Sequence, residues 1–369
     1  MKYLILLALV SFSLLGQIEK KDVGLLNGGT YQILIPNNWN KKLVMYAHGY
    51  QFQGQKPQEA NVGLEKRLQV FLDRGFAIAA SDYPAVGFVM PEGIDATEEL
   101  RQAFIKNMGK PDSTFMVGHS MGGGITLGTM ENFGENYHGA LPLCPLASRP
   151  YLQCRKEYDM YATFNGLFPG IIPSLKDIFD VHSQVGYVNL SQAGPKIGQI
   201  MKAIMEKDST LAKAFAKRFD LKLKDLGGSL FFNQNVLRDI AVRLGGNPFD
   251  NLQTVYSGFP DDLLTNQVAE RLAASKNPNQ LFSRYDRTGN INKPVLLVHT
   301  IYDQLIPPNY AVVNYENMVH QQQKDQFFTV KYTNGQAHCA FTPQQMATSF
   351  DLLRNWVKNG GKPQGGFLK

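Results

Sequence analysis

The sequence predicts an α/β fold in which a mostly parallel, twisted sheet is flanked by helices and carries a helical cap insertion. Three observations lead there. Short apolar runs that read as buried strands alternate with helical stretches in two separate parts of the chain. One of them passes through the turn Gly118, His119, Ser120, Met121, Gly122 straight into a helix of small residues. Between the two parts, residues 148–291 lose the alternation and keep only helical patterning.

The first residues stand apart from that fold. Lys2 gives a positive start, residues 3–15 an apolar run too short to span a bilayer comfortably, and Ser11, Ser13 and Gly16 small residues for cleavage. Residues 1–16 are therefore expected to be a signal peptide, leaving Gln17 at the mature N-terminus of a secreted or periplasmic protein without a stable membrane span. An uncleaved anchor is the rival reading. The core is expected over residues 17–147 and 292–369, and the insertion over 148–291.

Taken in order, residues 42–47 (KLVMYA) form an apolar strand ending in His48, Gly49 and Tyr50. Residues 76–80 form another, followed by Ser81, Asp82, Tyr83 and Pro84. Residues 114–117 read as a short buried strand and 121–130 as the helix after it. The turn between them is tight, so Gly118, Gly122 and Gly123 are what the geometry requires if Ser120 Oγ is to stand exposed above the sheet. Cys144 closes the following strand. Within the insertion, residues 195–207, 211–219 and 263–275 are expected as helices, with aromatics such as Phe164, Phe231 and Phe232 shared between a cap core and a pocket above Ser120. Residues 294–299 (PVLLVH) then form a buried strand leading to Asp303, and residues 327–332 a last strand leading to His338. The Gly-rich tail after Asn359 reads as a frayed end.

A serine, an acid and a histidine thus follow strand ends in the order Ser120, Asp303, His338. Over about residues 31–147 and 292–357 this set of motifs resembles the serine hydrolases of the α/β-hydrolase superfamily, which use that chain order. The resemblance implies Ser120 as nucleophile, His338 as general base and then acid, and Asp303 as the group holding the imidazole in its tautomer. It implies the backbone N–H groups of Tyr50 and Met121 as oxyanion donors, each typically worth about 2.7 to 4 kcal/mol. The chemistry needs these types. A serine hydroxyl must pass its proton to a neighbour as it attacks, histidine has an ordinary pKa near 6.5, and a carboxylate offsets the imidazolium charge.

The expected substrate is a small-molecule or polymer ester, cleaved without metal or organic cofactor. The sequence His48, Gly49, Tyr50 lacks a glycine triplet, which resembles the simpler oxyanion-loop class. Two alternatives stand beside the esterase. One is a serine peptidase resembling proline-specific aminopeptidases, with Glu157 and Asp159 as holders of a free amine unless they are a surface pair. The other is a non-catalytic, ligand-binding member of the fold. His48 and His119 are expected to shape turns, His299 to be a satisfied core histidine, and Asp82 to brace a loop. His138, His182 and His320 make no metal-ligand pattern.

Three cysteines in an exported chain allow one pair and one thiol. Cys144 with Cys154 would staple the start of the insertion, whereas Cys144 with Cys339 would tie the histidine loop to the sheet. Tannases and fungal feruloyl esterases carry a related disulfide, from the residue before the serine to the one after the histidine, and this chain departs from it because His119 precedes Ser120. Composition fits a globular enzyme, with 44% hydrophobic and 18% charged residues over a length of 369. The net charge of +6 is spread along the chain, and its densest stretch, residues 213–224, alternates lysine with apolar residues as a solvated helix face does. No basic patch is interleaved with stacking aromatics, so no nucleic-acid partner is expected.

Overall fold

Strands β1 (Ile18–Leu26) and β2 (Gly29–Pro36) form an antiparallel hairpin across Asn27 and Gly28, both at positive φ as a tight hairpin turn requires. This is a computed structural model describing residues 17–56, 61–185, 187 and 190–368, so the expected signal peptide lies outside the described residues. The remaining strands are β3 (Lys42–Ala47), β4 (Phe76–Ser81), β5 (Ser113–His119), β6 (Gly139–Leu143), β7 (Val295–Thr300), β8 (Phe328–Thr333) and β9 (Gly366–Phe367). They join one sheet in the order β1-β2-β4-β3-β5-β6-β7-β8-β9, with β2 and β4 antiparallel and every later pairing parallel. This is the α/β-hydrolase fold.

Helices α1 (Leu64–Arg67), α2 (Gln69–Leu72), α3 (Met90–Met108) and α4 (Met121–Phe133) belong to the first half of the sheet. Between β6 and β7 come α5 (Pro150–Leu167), α6 (Leu175–Phe179), α7 (Ala193–Arg218), α8 (Leu226–Leu244), α9 (Asp262–Val268) and α10 (Asn279–Phe282); α11 (Pro308–Gln321) and α12 (Pro343–Asn359) follow. Both faces of the sheet are covered, which explains why β4 and β7 are buried throughout, with apolar runs before their polar ends at Ser81 and at His299 and Thr300, rather than alternating. In β3 the period of two still sorts the side chains. Leu43 and Met45 join a core with Ile94 and Leu100 of α3 and Ile125 of α4, while Val44 and Tyr46 join one with Phe71, Leu353 and Trp356. Each such fully buried side chain is worth about 1.5 to 3 kcal/mol.

In the insertion and the tail, one expectation is met and two need correction. The two helices expected over 195–207 and 211–219 are the two halves of α7, which breaks at Asp208, in extended backbone at φ −163° and ψ 99°, where Asp208 Oδ1 accepts from the N–H groups of Thr210 and Leu211 and so caps the second half. The helix expected over 263–275 stops at Val268. Beyond it, Leu272 N–H donates to Asn251 Oδ1, Ser275 N–H to Asn247 O, and Arg271 Nη1 to the carbonyls of Asn251 and Thr254, so tertiary bonds take the place of helical ones. The tail is not frayed. It returns to the sheet edge as β9, where Leu368 N–H donates to Tyr332 O and Thr329 Oγ1 to Pro363 O.

Candidate active site

The turn after β5 is built by close approach. A Cβ on Gly122 would collide with the carbonyl oxygens of Ala47 and His48, and one on Gly118 with the Gly122 carbonyl. With no bulk on either side, Ser120 takes φ 58° and ψ −124°, a conformation disfavoured for a residue with a side chain. The strain is held by the neighbouring strand, because Ser120 N–H donates to Leu143 O at 3.0 Å while Ser120 O accepts from Gly124 and Leu146. The helix α4 begins at the next residue, and the Met121 N–H is among the first four that find no acceptor inside a helix.

Three side chains from separate loops meet there. His338 Nε2 lies 2.8 Å from Ser120 Oγ, and His338 Nδ1 lies 2.7 Å from Asp303 Oδ2. An ionised carboxylate only accepts, so Nδ1 carries the proton and Nε2 is free to accept from the serine hydroxyl. Asp303 is buried, and its Oδ1 accepts the N–H groups of Leu305 at 2.9 Å and Ile306 at 2.8 Å. Burial by itself opposes ionisation of this carboxyl, but the adjoining His338, then His299 and the Ile306 N–H, outweigh it and hold Asp303 below the usual carboxylate range.

The loop after β3 passes directly over the nucleophile. A Cβ on Gly49 would stand 3.2 Å from Ser120 Cβ and 3.7 Å from its Oγ, so the peptide entering Tyr50 lies beside Ser120. Ser120, His338, Gly49 and Tyr50 open onto a cleft of about 610 Å³ whose other wall comes from the insertion, with Ile197 of α7 and Phe231 and Phe232 of α8. Phe164 is instead buried in the insertion's own core against Phe168 and Phe215.

The pairing left open among the cysteines is Cys144 with Cys339, Cα atoms 5.4 Å apart, and Cys154 is free and buried. The bridge ties the residue after His338 to the end of β6. Among the described residues, Cys144, His338 and Cys339 form a grouping close enough to ligate a metal, but the two sulfurs are bonded to each other and offer no thiolate.

Three further histidines have neighbours of their own. His48 Nδ1 lies 2.7 Å from Gly49 O, and its ring stacks on Tyr83 at 4.0 Å. His119 Nδ1 lies 3.3 Å from Tyr46 Oη. Burial pushes both down to a pKa of about 4, so each is neutral at ordinary pH. His299 Nδ1 lies 3.0 Å from Thr300 O, and burial lowers it too. Asp82 braces a loop through Thr30 Oγ1 and Asn61 Nδ2.

Sequence reasoning missed one residue and misplaced another. Gln304 Oε1 accepts the His338 backbone N–H at 2.9 Å, and no pattern in the sequence marks it. Glu157 is not half of a surface pair: it is 8% exposed and faces the site, whereas Asp159 is engaged by Arg155 Nε and Tyr256 Oη, each at 2.9 Å. The signal was present, since Gln153, Cys154, Glu157, Tyr158 and Tyr161 recur at helical spacing and put Glu157 on an apolar face.

No protein-family model matches the chain, and no curated protein matches it. Among solved structures it is similar to an esterase of Pyrococcus furiosus, at 14% identity over 92% of this chain and 91% of that chain, TM-score 0.45. It is similar to a proline iminopeptidase of Mycobacterium smegmatis, at 12% over 93% and 100%, TM-score 0.47. A third is Est1E of Butyrivibrio proteoclasticus, at 13% over 92% and 99%, TM-score 0.44. The likeness is one of fold, and the functional reading rests on the geometry of the site itself.

Proposed function

We propose that this chain is an exported serine hydrolase that cleaves carboxylic esters through an acyl-serine intermediate. The observation that carries this reading is the unbroken hydrogen-bonded chain from Ser120 Oγ through His338 to Asp303, at the floor of an open cleft. In that reading His338 Nε2 takes the hydroxyl proton as Oγ attacks the ester carbonyl, and the imidazolium is offset by Asp303. The tetrahedral oxygen lies towards the N–H groups of Met121 and Tyr50. The C–O bond to the alcohol breaks, His338 returns the proton to the leaving alkoxide, and a water activated by His338 then releases the acid from Ser120.

Export is supported by the Cys144–Cys339 disulfide, since such bonds persist in oxidising compartments. Among the described residues no helix is long and apolar enough to cross a membrane. The ester reading gains from the engagement of Asp159 by Arg155 and Tyr256, which takes Asp159 out of the Glu157–Asp159 pair expected to hold a peptide amine.

The test is release of nitrophenol from nitrophenyl esters, acetate through long chain, by mature protein and by its Ser120→Ala variant. Turnover that drops at least a thousandfold in the variant supports the reading, as removal of a catalytic nucleophile does in serine hydrolases generally. Turnover equal in both, or absent from folded protein for every ester, overturns it.

A further inference from the structure

Behind the cleft, Ser120, Met121, Tyr50 and Glu157 border a second, small cavity walled by Phe232 and Val236, with room of about 20 Å³. That is the space of one water-sized group. Its walls are mostly apolar, yet two of the residues that line it each carry a buried polar atom with no hydrogen-bond partner among the described residues: Glu157 Oε2 and Tyr50 Oη. The other carboxylate oxygen of Glu157 accepts from Gln153 Nε2 at 3.3 Å, which holds the side chain in place. Burial pushes Glu157 up to a pKa of about 7.

A buried polar atom without a partner costs about 1 to 3 kcal/mol. Two in one cavity beside a nucleophile define an occupant. Tyr50 Oη has a proton to donate, and the ionised Glu157 has a lone pair to accept with. A hydroxyl satisfies both at once, because it accepts from one and donates to the other. An ammonium has no lone pair for the tyrosine, and an alkyl group serves neither.

Resting on the serine-hydrolase reading, we propose that this cavity is the acyl site for short hydroxy acids, whose hydroxyl bridges Tyr50 Oη and Glu157 Oε2. The substrate class is thus esters of small hydroxylated carboxylic acids, as single molecules or as chain ends.

The experiment compares kcat/KM at pH 8 for the nitrophenyl esters of 3-hydroxybutyrate, 3-methylbutyrate and 3-aminobutyrate, which differ at one position of nearly equal size. The mature enzyme is used with its Tyr50→Phe, Glu157→Leu and Ser120→Ala variants. The ratio of hydroxy to methyl ester is the readout, because it cancels any loss of folded enzyme. A ratio of tenfold or more in the wild type, falling towards one in both Tyr50→Phe and Glu157→Leu, is the expected result. A wild-type ratio near one, a ratio that neither variant moves, or a preference for the amino ester overturns the acyl-site assignment. Ser120-dependent turnover in those cases leaves the hydrolase reading standing. Turnover of no ester above Ser120→Ala overturns both.

Discussion

Gln304 Oε1 accepts the backbone N–H of His338, so the residue after Asp303, the proposed acid, grips the main chain of the proposed catalytic histidine. The acid loop therefore holds His338 twice, by side chain through Asp303 and by backbone through Gln304. Gln304→Ala is expected to lower kcat about tenfold with KM little changed, since a slight misplacement of a catalytic group is costly while substrate contacts stay. Gln304→Glu keeps an acceptor at that position and is expected to recover much of the loss. A change confined to KM would contradict the positioning role.

Asp303→Asn presents an amide where the imidazole finds a carboxylate, and the tautomer with its proton on Nδ1 is no longer enforced. The expected fall in kcat is on the order of ten thousandfold, the scale of that substitution in other serine triads. Labelling of Ser120 by a fluorophosphonate should slow in parallel. Wild-type labelling in this variant would remove Asp303 from the triad.

The Cys144–Cys339 bridge spans 195 residues of chain and includes the whole insertion. Removing a native disulfide from a small secreted domain typically costs about 2 to 5 kcal/mol, and the chain-entropy account gives more for longer loops. The Cys144→Ala, Cys339→Ala double variant should therefore unfold at a clearly lower temperature than wild type. Reductant should lower the wild-type midpoint and leave that of the variant alone, and a thermal scan in both conditions checks it.

Acid should destabilise the fold. His48 and His119 are held at about pKa 4 against 6.5 in the unfolded chain. Between those values the unfolded state binds more protons, so their contribution is complete above pH 6.5 and is lost as pH falls towards 4. Glu157 acts the other way: raised from 4.5 to about 7, it favours the folded state below pH 4.5 and loses that contribution as pH rises to 7. Two histidines against one carboxyl leave these groups with a net loss of about 3 kcal/mol on going from pH 7 to pH 4. Urea unfolding at pH 7 and 4.5 should show the lower midpoint in acid, and an unchanged or higher one would contradict the assignment.

The most local requirements were the most legible in the sequence. Gly118 and Gly122 announce the sharp turn at Ser120 because only a residue without Cβ fits those two positions. The strands ending near Tyr50 and Asp303 are legible because both sheet faces are covered and the runs over residues 43–47 and 295–298 are apolar, while the strand before His338 shows only a shorter signal, since Lys331 interrupts it. What escaped depends on partners distant in the chain. Gln304 acts only because another loop comes within hydrogen-bond reach, and β9 exists only because the edge of β8 offers it a carbonyl. Residues 269–275 have the spacing of a helix, and side chains at Asn247 and Asn251 outcompete it. Glu157 was read by its charge when its helical position, in step with Cys154 and Tyr161, was the better guide.

With two of the three cysteines bonded to each other, Cys154 carries the chain's sole sulfhydryl, and that group borders the small cavity shared with Ser120. Burial holds it firmly as a thiol, so its alkylation is slow until the cavity opens. On the proposed assignment the unaltered protein therefore contains its own occupancy gauge: a ligand seated in the cavity should slow further the rate at which a small alkylating reagent consumes one sulfhydryl per molecule, with no engineered label and no turnover.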